Sequence, residues 1–265
     1  MQQVKFKAAE AIEMVQRNIK SSIALMNISI ASEYSKLGKT NKIVNISGIK
    51  MPIPPELQRK PLEILHWQYS YEREELKIVK AILQEGDRVM ELGTGWGFLS
   101  TYCAQIVGSD NVFTYEANPA LELYIRQVYE LNQVSPQVNF CLLGEQAGEQ
   151  DFYVSKRFWS SSLIQVRKTD RLIQVPVKPF NKEIKKNNPN VLIVDIEGGE
   201  YNLMQYADLY NIEKVIMEVH KEVIGTEKIK FVCSQLQDRG FKINEKLSTQ
   251  RELYLERRLD SNDNI

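Results

Sequence analysis

The sequence predicts an α/β fold: a mostly parallel sheet with helices on both faces, preceded by a helical N-terminal extension. Three observations carry that expectation. From residue 87 onward, apolar runs of strand length alternate with stretches whose apolar residues recur at helical spacing. Acids and glycines gather at the ends of two such runs, in Glu91-Leu-Gly93 and Asp195-Ile-Glu197-Gly198, and open α/β sheets bind ligands at strand ends. The chain's 265 residues, 43% of them hydrophobic, suffice for a substantial core.

The elements follow in order. AAEAIEMVQRNI gives helical spacing within residues 1–37, closed by Gly38. KIVNISGIKMPIPPEL is a short extended piece stopped by prolines. Arg59 to Gln84 is helical again, with LKIVKAIL its most apolar face. DRVMEL (87–92) is a strand, Gly93–Gly97 a glycine-rich turn and FLSTYCAQIV (98–107) a helix. Strands at 111–116, 137–143, 149–155, 171–177, 190–196 and 214–220 follow, with helices at 119–134, 200–210 and 228–239. The segments 241–247 and 251–258 close the chain as a hairpin. The polar stretch between Lys156 and Asp170 reads as a loop, and 259–265 as a frayed tail. Domain boundaries are therefore placed at 1–60 for the extension, 61–258 for the main domain and 259–265 for the tail.

Lys plus Arg and Asp plus Glu number 34 each, so no global field draws the chain to nucleic acid or an anionic membrane. No nucleic-acid partner is expected. Cys103, Cys141 and Cys233 form no CxxC pair, and an odd count suits a reducing compartment. No run approaches a membrane span, and MQQVKFKAAEAIEMVQ lacks a signal peptide's apolar segment. A cytoplasmic protein is the expectation.

The glycine turn narrows the ligand. Gly93, Thr94, Gly95 and Gly97 follow Glu91 in a pattern that misses the dinucleotide fingerprint, because position 98 is Phe. An acid two residues before the first glycine would face a pyrophosphate; opposite the amino group of a methionine-derived moiety it makes sense. Glu116 ends the next strand, where an acid can accept both ribose hydroxyls. Together these describe a nucleoside ligand without a diphosphate, and S-adenosylmethionine fits. Packing of helix against strand is the competing account of the glycines.

Several blocks appear in a familiar order. They are YEREELKIVKAILQEGDRVMELGTGWGFLSTYCAQI, VFTYEANPALELYIRQVYELN, CLLGEQAGEQDFYVS, SSSLIQV, VPVKPFNKEI, VLIVDIEGGEYNLM, KVIMEVH and RGFKI. Across residues 69–246 the chain resembles the FkbM-like S-adenosylmethionine-dependent methyltransferases, most specifically in Asp195-x-Glu197-Gly198-x-Glu200. Glu91 stands where the family usually has Asp, and Gly199 where Ala is common; Trp96 in the glycine loop is unusual. The resemblance implies a Rossmann-like class I methyltransferase sheet with an antiparallel last strand, supplied by 241–258. It also implies methyl transfer, generally to oxygen, on sugars, polyketides or related natural products, with a small-molecule hydroxyl acceptor as partner.

Methyl transfer needs positioning, desolvation and something to take the acceptor's proton. Asp195, Glu197 and His220 are the candidate catalytic residues. Asp195 would orient the acceptor or contact the cofactor, and Glu197 is a candidate base. His220, ending Glu218-Val-His220, reads three ways: a general base, a ligand of a divalent cation with Asp195 and Glu197, or a histidine bonded to loop backbone. The adopted reading assigns no metal. Glu200 reads as a helix-start acid. Cofactor binding falls to Glu91, Gly93, Thr94, Gly95, Gly97, Glu116, Asn118, Leu142 and Asp195; Leu142, with Leu143 beside it, is the adenine position by resemblance, with simple core packing as the alternative. By resemblance Tyr71 and Glu72 lie over the methionine end or anchor the entry helix, and His66 is structural. Lys156, Arg157, Phe158 and Trp159 form a specificity loop or a surface one. The N-terminal helices cap the pocket or pair two copies as a homodimer. An RNA methyltransferase, a non-catalytic S-adenosylmethionine-binding protein and a dinucleotide oxidoreductase are the competing functions.

Overall fold

A computed structural model describes residues 43–54, 57–58, 60–155 and 169–258. The helix expected within 1–37, the dimer contact expected of it, the loop residues Lys156 to Trp159 and the polar tail lie outside these residues.

The chain is described first as a hairpin, β1 (Ile43–Ile46) and β2 (Ile49–Pro52). Ser47 and Gly48 turn it with positive φ at both residues, as two-residue hairpins require. Ile49 and Met51 are fully buried, so this piece of the expected extension packs as core. Helices α1 (Pro61–Ser70) and α2 (Arg73–Ile82) come next, where the periodicity predicts one continuous helix. The break falls at Tyr71 and Glu72, whose φ is +45°.

The central unit then alternates. β3 (Val89–Leu92), α3 (Phe98–Val107), β4 (Val112–Glu116), α4 (Glu122–Asn132) and β5 (Gln137–Phe140) form its first half. The strand expected over 137–143 divides at buried Cys141, whose N–H turns back onto the Asn139 carbonyl. Beyond it β6 (Leu142–Gly144) leaves the main sheet and joins β7 (Gly148–Val154) and β8 (Arg171–Pro179). A further helix, α5 (Phe180–Asn187), stands where no element is expected. β9 (Val191–Val194), α6 (Glu200–Tyr206), β10 (Lys214–Glu218), α7 (Lys221–Ile224), α8 (Thr226–Asp238), β11 (Lys242–Ile243) and β12 (Glu252–Glu256) complete the domain.

Seven strands make the main sheet in the order β11-β12-β10-β9-β3-β4-β5. β10, β9, β3, β4 and β5 are mutually parallel, and β12 runs antiparallel to both its neighbours. β3, β4 and β9 are buried at every residue, as strands covered on both faces must be. Met90, Leu92, Leu192 and Met217 pack on one face with Phe180, Ile184, Leu203 and Leu236 of α5, α6 and α8. Helices α2 and α3 cover the other. The chain reverses strand order at β3, so the carboxyl ends of β3 and β9 frame the crevice where this architecture binds ligands. The mostly parallel order and the antiparallel β12 are those of the Rossmann-like sheet that the resemblance implies. All three cysteines are free thiols. Among the described residues no helix is long and apolar enough to cross a membrane.

Candidate active site

The site is built on the loops leaving β3, β4, β9 and β10. After β3 the chain turns through Gly93-Thr-Gly-Trp-Gly97. Gly93, at φ +86°, has no substitute: a Cβ there would lie 1.7 Å from the Asp195 carbonyl oxygen. The two strand ends therefore touch through backbone. The Asp195 N–H donates to the Leu92 carbonyl and the Gly93 N–H to that of Tyr115, each at 2.9 Å. This contact fixes Asp195 beside the glycine turn.

Glu116, ending β4, is tied into the same turn. Its Oε2 accepts from the Gly95 N–H at 2.9 Å and its Oε1 from the Asn118 N–H at 2.7 Å. Burial pushes its carboxyl up to about 7, against the pull of those backbone bonds. Glu91, only 2% exposed, lies behind the turn and does not line the cavity described below. Burial, then the charges of Glu72 and Glu116, push its carboxyl well above the ordinary range. Thr94, Gly97 and Asn118 also stand outside the cavity lining. Asn118 caps the short turn at Pro119–Leu121 by accepting from the Ala120 N–H. These residues shape the site from behind rather than form its wall.

The segment Asp195-Ile-Glu-Gly-Gly-Glu200 turns from β9 into α6. Glu197 and Gly198 both have positive φ, 48° and 100°, which for Glu197 is a strained conformation. Glu200, the first residue of α6, is fully buried. Its Oε1 accepts from the Gly198 N–H at 3.0 Å and stands 2.6 Å from His220 Nδ1. Glu200 is thus the helix-start acid of the sequence reading, and it also orients a histidine that comes from after β10. His220 is 3% exposed. Its Nε2 lies 3.4 Å from Glu197 Oε2 and 3.6 Å from Asp195 Oδ1 and from Glu218 Oε1. The structure thereby brings together the three predicted catalytic residues and adds Glu218. Because His220 sits behind Asp195 and Glu197, outside the cavity lining, it touches the site through them. Its ring is bonded to the Glu200 side chain rather than to loop backbone.

Charge dominates this region. Asp195 is pushed well above its ordinary range by burial, then by Glu218, Glu197, Glu72 and Glu75. Glu197 is raised by burial to about 6, against the pull of His220. Burial lowers His220, but its bond to Glu200 and the surrounding carboxylates outweigh this and raise it overall.

In front of these loops lies a cavity of about 810 Å³, within the size of small-molecule sites. It crosses the carboxyl ends of β10, β9, β3, β4 and β5, four strand spacings or roughly 19 Å. Its wall includes Gly93, Gly95, Glu116, Asp195, Glu197 and Glu218, and at the β5 end Leu142, Leu143 and Phe152. The break between α1 and α2 forms a further wall. There the Tyr71 hydroxyl and Glu72 Oε1 lie 3.5 and 3.7 Å from where a Gly95 Cβ would stand. Burial and the neighbouring Glu75 raise Glu72 to about 8. An aromatic group holds the break in place: Trp96 stacks on Tyr124 with centroids 4.5 Å apart, Trp67 meets Trp96 edge-on, and Tyr71 meets Phe98. Trp96 thus supports the wall from inside the core, being 1% exposed. His66, expected to be structural, lines the cavity. Sequence reasoning missed Glu75, Glu218 and Glu252 here. Glu218 stands two residues before His220 in Glu218-Val-His220, so its signal was adjacent. Among the described lining residues nine carboxylates face two arginines, Arg73 and Arg251.

A family model described as "Methyltransferase FkbM domain" matches residues 86–243. The chain belongs to the FkbM methyltransferase family. It is accordingly an S-adenosylmethionine-dependent methyltransferase. No curated protein matches it. Similar solved structures include the ribosomal protein L11 methylase of Lactobacillus delbrueckii subsp. bulgaricus, at 14% identity and TM-score 0.41, covering 72% of this chain and 80% of that one. Aeropyrum pernix fibrillarin, solved with natively bound S-adenosyl-L-methionine, is 12% identical with TM-score 0.41, covering 82% and 84%. M. jannaschii TYW2, in complex with AdoMet, is 12% identical with TM-score 0.43, covering 83% and 89%.

Proposed function

We propose that this FkbM-family methyltransferase transfers the methyl group to a hydroxyl of a small molecule, a sugar, a polyketide or a related compound. The observation that supports this is Glu197, which opens onto the cavity just beyond β9 and, among the described residues, forms no ion pair with a lysine or arginine, so that it is placed to receive a proton.

The residues fit the cofactor. S-adenosylmethionine carries its methyl on a cationic sulfur, and sulfur keeps the C–S electron pair as the new O–C bond forms. A cavity rich in carboxylates with little counter-charge is suited to such a cation. Glu116, already aimed by two backbone N–H groups, keeps lone pairs free for ribose hydroxyls. Leu142 and Leu143 offer an apolar slot, and Gly93 and Gly95 let a ligand approach the backbone. Glu197 accepts the acceptor's proton, while Asp195 orients the hydroxyl. The same acids disfavour a diphosphate or a polyanionic RNA at this wall.

The test uses radiolabelled S-adenosylmethionine against panels of hydroxylated acceptors. Methyl ethers should form, and Glu197→Gln should lower kcat at least a hundredfold while cofactor affinity stays within threefold. Unchanged turnover in Glu197→Gln, or products methylated only on nitrogen or carbon, would overturn the reading.

A further inference from the structure

His220 presents one ring nitrogen that nothing satisfies. Nδ1 is taken by Glu200 at 2.6 Å, while Nε2 is buried and has no hydrogen-bond partner. It points at three carboxylate oxygens lying 3.4 to 3.6 Å away. Those distances exceed an N–H···O bond, which spans about 2.7–3.2 Å. They suit two donors of one ion: ligands ~2.1 Å from a metal at a near-tetrahedral angle stand roughly 3.4 Å apart. Asp195 Oδ1 is also buried without a hydrogen-bond partner. Donor atoms of Asp195, Glu218 and His220 all lie within 4.8 Å of one another.

We propose that Asp195, Glu218 and His220 bind one divalent first-row metal cation through Oδ1, Oε1 and Nε2. Glu200 completes a carboxylate–histidine–metal arrangement, holding the ring so that Nδ1 carries the proton and Nε2 offers its lone pair. One imidazole with two carboxylates favours ions that accept both nitrogen and oxygen, Mn²⁺ or Zn²⁺, over Ca²⁺. Arg251 Nη2 also contacts Glu218 Oε1, at 2.5 Å, so this oxygen is shared between guanidinium and ion. Glu197 stays outside the three donors and remains the proton acceptor of the reading above. The site's catalytic use rests on that reading: an ion beside Glu197 lowers the pKa of an acceptor hydroxyl. Its existence does not.

The experiment uses the full chain stripped with EDTA and titrated with MnCl₂, free Mn²⁺ being followed by electron paramagnetic resonance. One Mn²⁺ per chain should bind and be displaced by Zn²⁺. Glu218→Gln and Asp195→Asn should each weaken it at least tenfold, and Glu200→Gln ten- to a hundredfold by loosening the ring. Glu227→Gln, on the exposed face of α8, should bind as wild type. Circular dichroism confirms that each variant is folded, and partly exposed Asp195 and Glu218 keep the test open should a His220 variant not fold. The absence of saturable binding, or binding as tight as wild type in Asp195→Asn and Glu218→Gln, overturns the proposal. Calorimetry with S-adenosylmethionine on the EDTA-treated chain separates the two readings. Cofactor binding without Mn²⁺ binding sinks only the metal site. Saturable Mn²⁺ binding without cofactor binding supports it and overturns the cofactor assignment of the cavity.

Discussion

Gly93→Ala tests whether the glycine turn is dictated by contact with the next strand. Two costs are separable. A non-glycine residue at φ +86° pays about 1–2 kcal/mol for the left-handed backbone. The second cost is contact: the new Cβ meets the Asp195 carbonyl oxygen at 1.7 Å, and reaching even 3.0 Å needs a shift of 1.3 Å. Backbone must move, because the obstacle is not a flexible side chain. That shift strains the bonds from Asp195 N–H to Leu92 and from Gly93 N–H to Tyr115, each worth about 1 kcal/mol, and adds roughly 1–3 kcal/mol of overpacking. Gly86→Ala is the control, since Gly86 has φ +91° and nothing within 4 Å of its would-be Cβ. Urea unfolding followed by circular dichroism should show Gly86→Ala destabilised by about 1 kcal/mol, after the gain from a stiffer unfolded chain. Gly93→Ala should lose about 2–4 kcal/mol more. If the two variants fall within 1 kcal/mol of each other, the touching-strand account of Asp195's placement is wrong.

Three other outcomes are expected. Burial holds Glu116 at about 7 against an ordinary 4.5, so between those values the folded state binds a proton that the unfolded state has released. Stability therefore falls as pH rises through that window. Thermal melts should show Glu116→Gln gaining on wild type by up to about 3 kcal/mol between pH 4.5 and 8, above a constant loss of about 1 kcal/mol from one broken backbone bond; a pH-independent difference refutes the cause. Lys214 lies 2.8 Å from Asp87 in a largely buried pair at the amino ends of the strands, so Lys214→Met should cost about 3 kcal/mol in urea unfolding by stranding that acid. Its affinity for S-adenosylmethionine, measured by calorimetry, should not change, because the pair lies at the opposite end of the sheet from the cavity.

Most of the sheet was legible because parallel strands and their helices announce themselves locally. DRVMEL, NVFTYE, NVLIVDI and KVIMEVH carry their apolar runs intact, and each has an acid or histidine at or near its end, of which Glu116, Asp195 and Glu218 line the cavity. What failed was decided by non-local pairing. Residues 137–143 read as one strand because both halves have strand propensity; only pairing of β6 with β8 separates them. The α1–α2 break carries no proline or glycine. It is held by contacts of Trp67 with Trp96 of the glycine loop and of Tyr71 with Phe98 at the start of α3, which no window around Tyr71 contains. α5 had a readable signal, Phe180 and Ile184 one turn apart after Pro179, but its eight residues offer too little periodicity to stand out. In the site, type and order of residues were legible but not depth. Nothing local says that Glu91 lies behind the turn while Glu116 faces the cavity.

Depth decides what the acids do. A carboxylate on a surface costs nothing, but Asp195, Glu197, Glu200 and Glu218 converge on one imidazole with Glu72 and Glu75 close by. Burying like charges together is unfavourable by several kcal/mol per uncompensated group. Protonation relieves part of that cost, which is why Asp195, Glu72 and Glu75 all shift upward. A neutral acid, however, neither accepts a proton nor attracts a cation. A bound cation relieves the repulsion while keeping the carboxylates ionised. The two proposals above give positive charge two places: the cofactor beside Gly93 and Asp195, and a metal at Nε2 of His220. Both draw on Asp195, and the first cation to bind relieves repulsion that the second can then no longer relieve, so the two should weaken each other's binding, with coupling that is the same measured from either side.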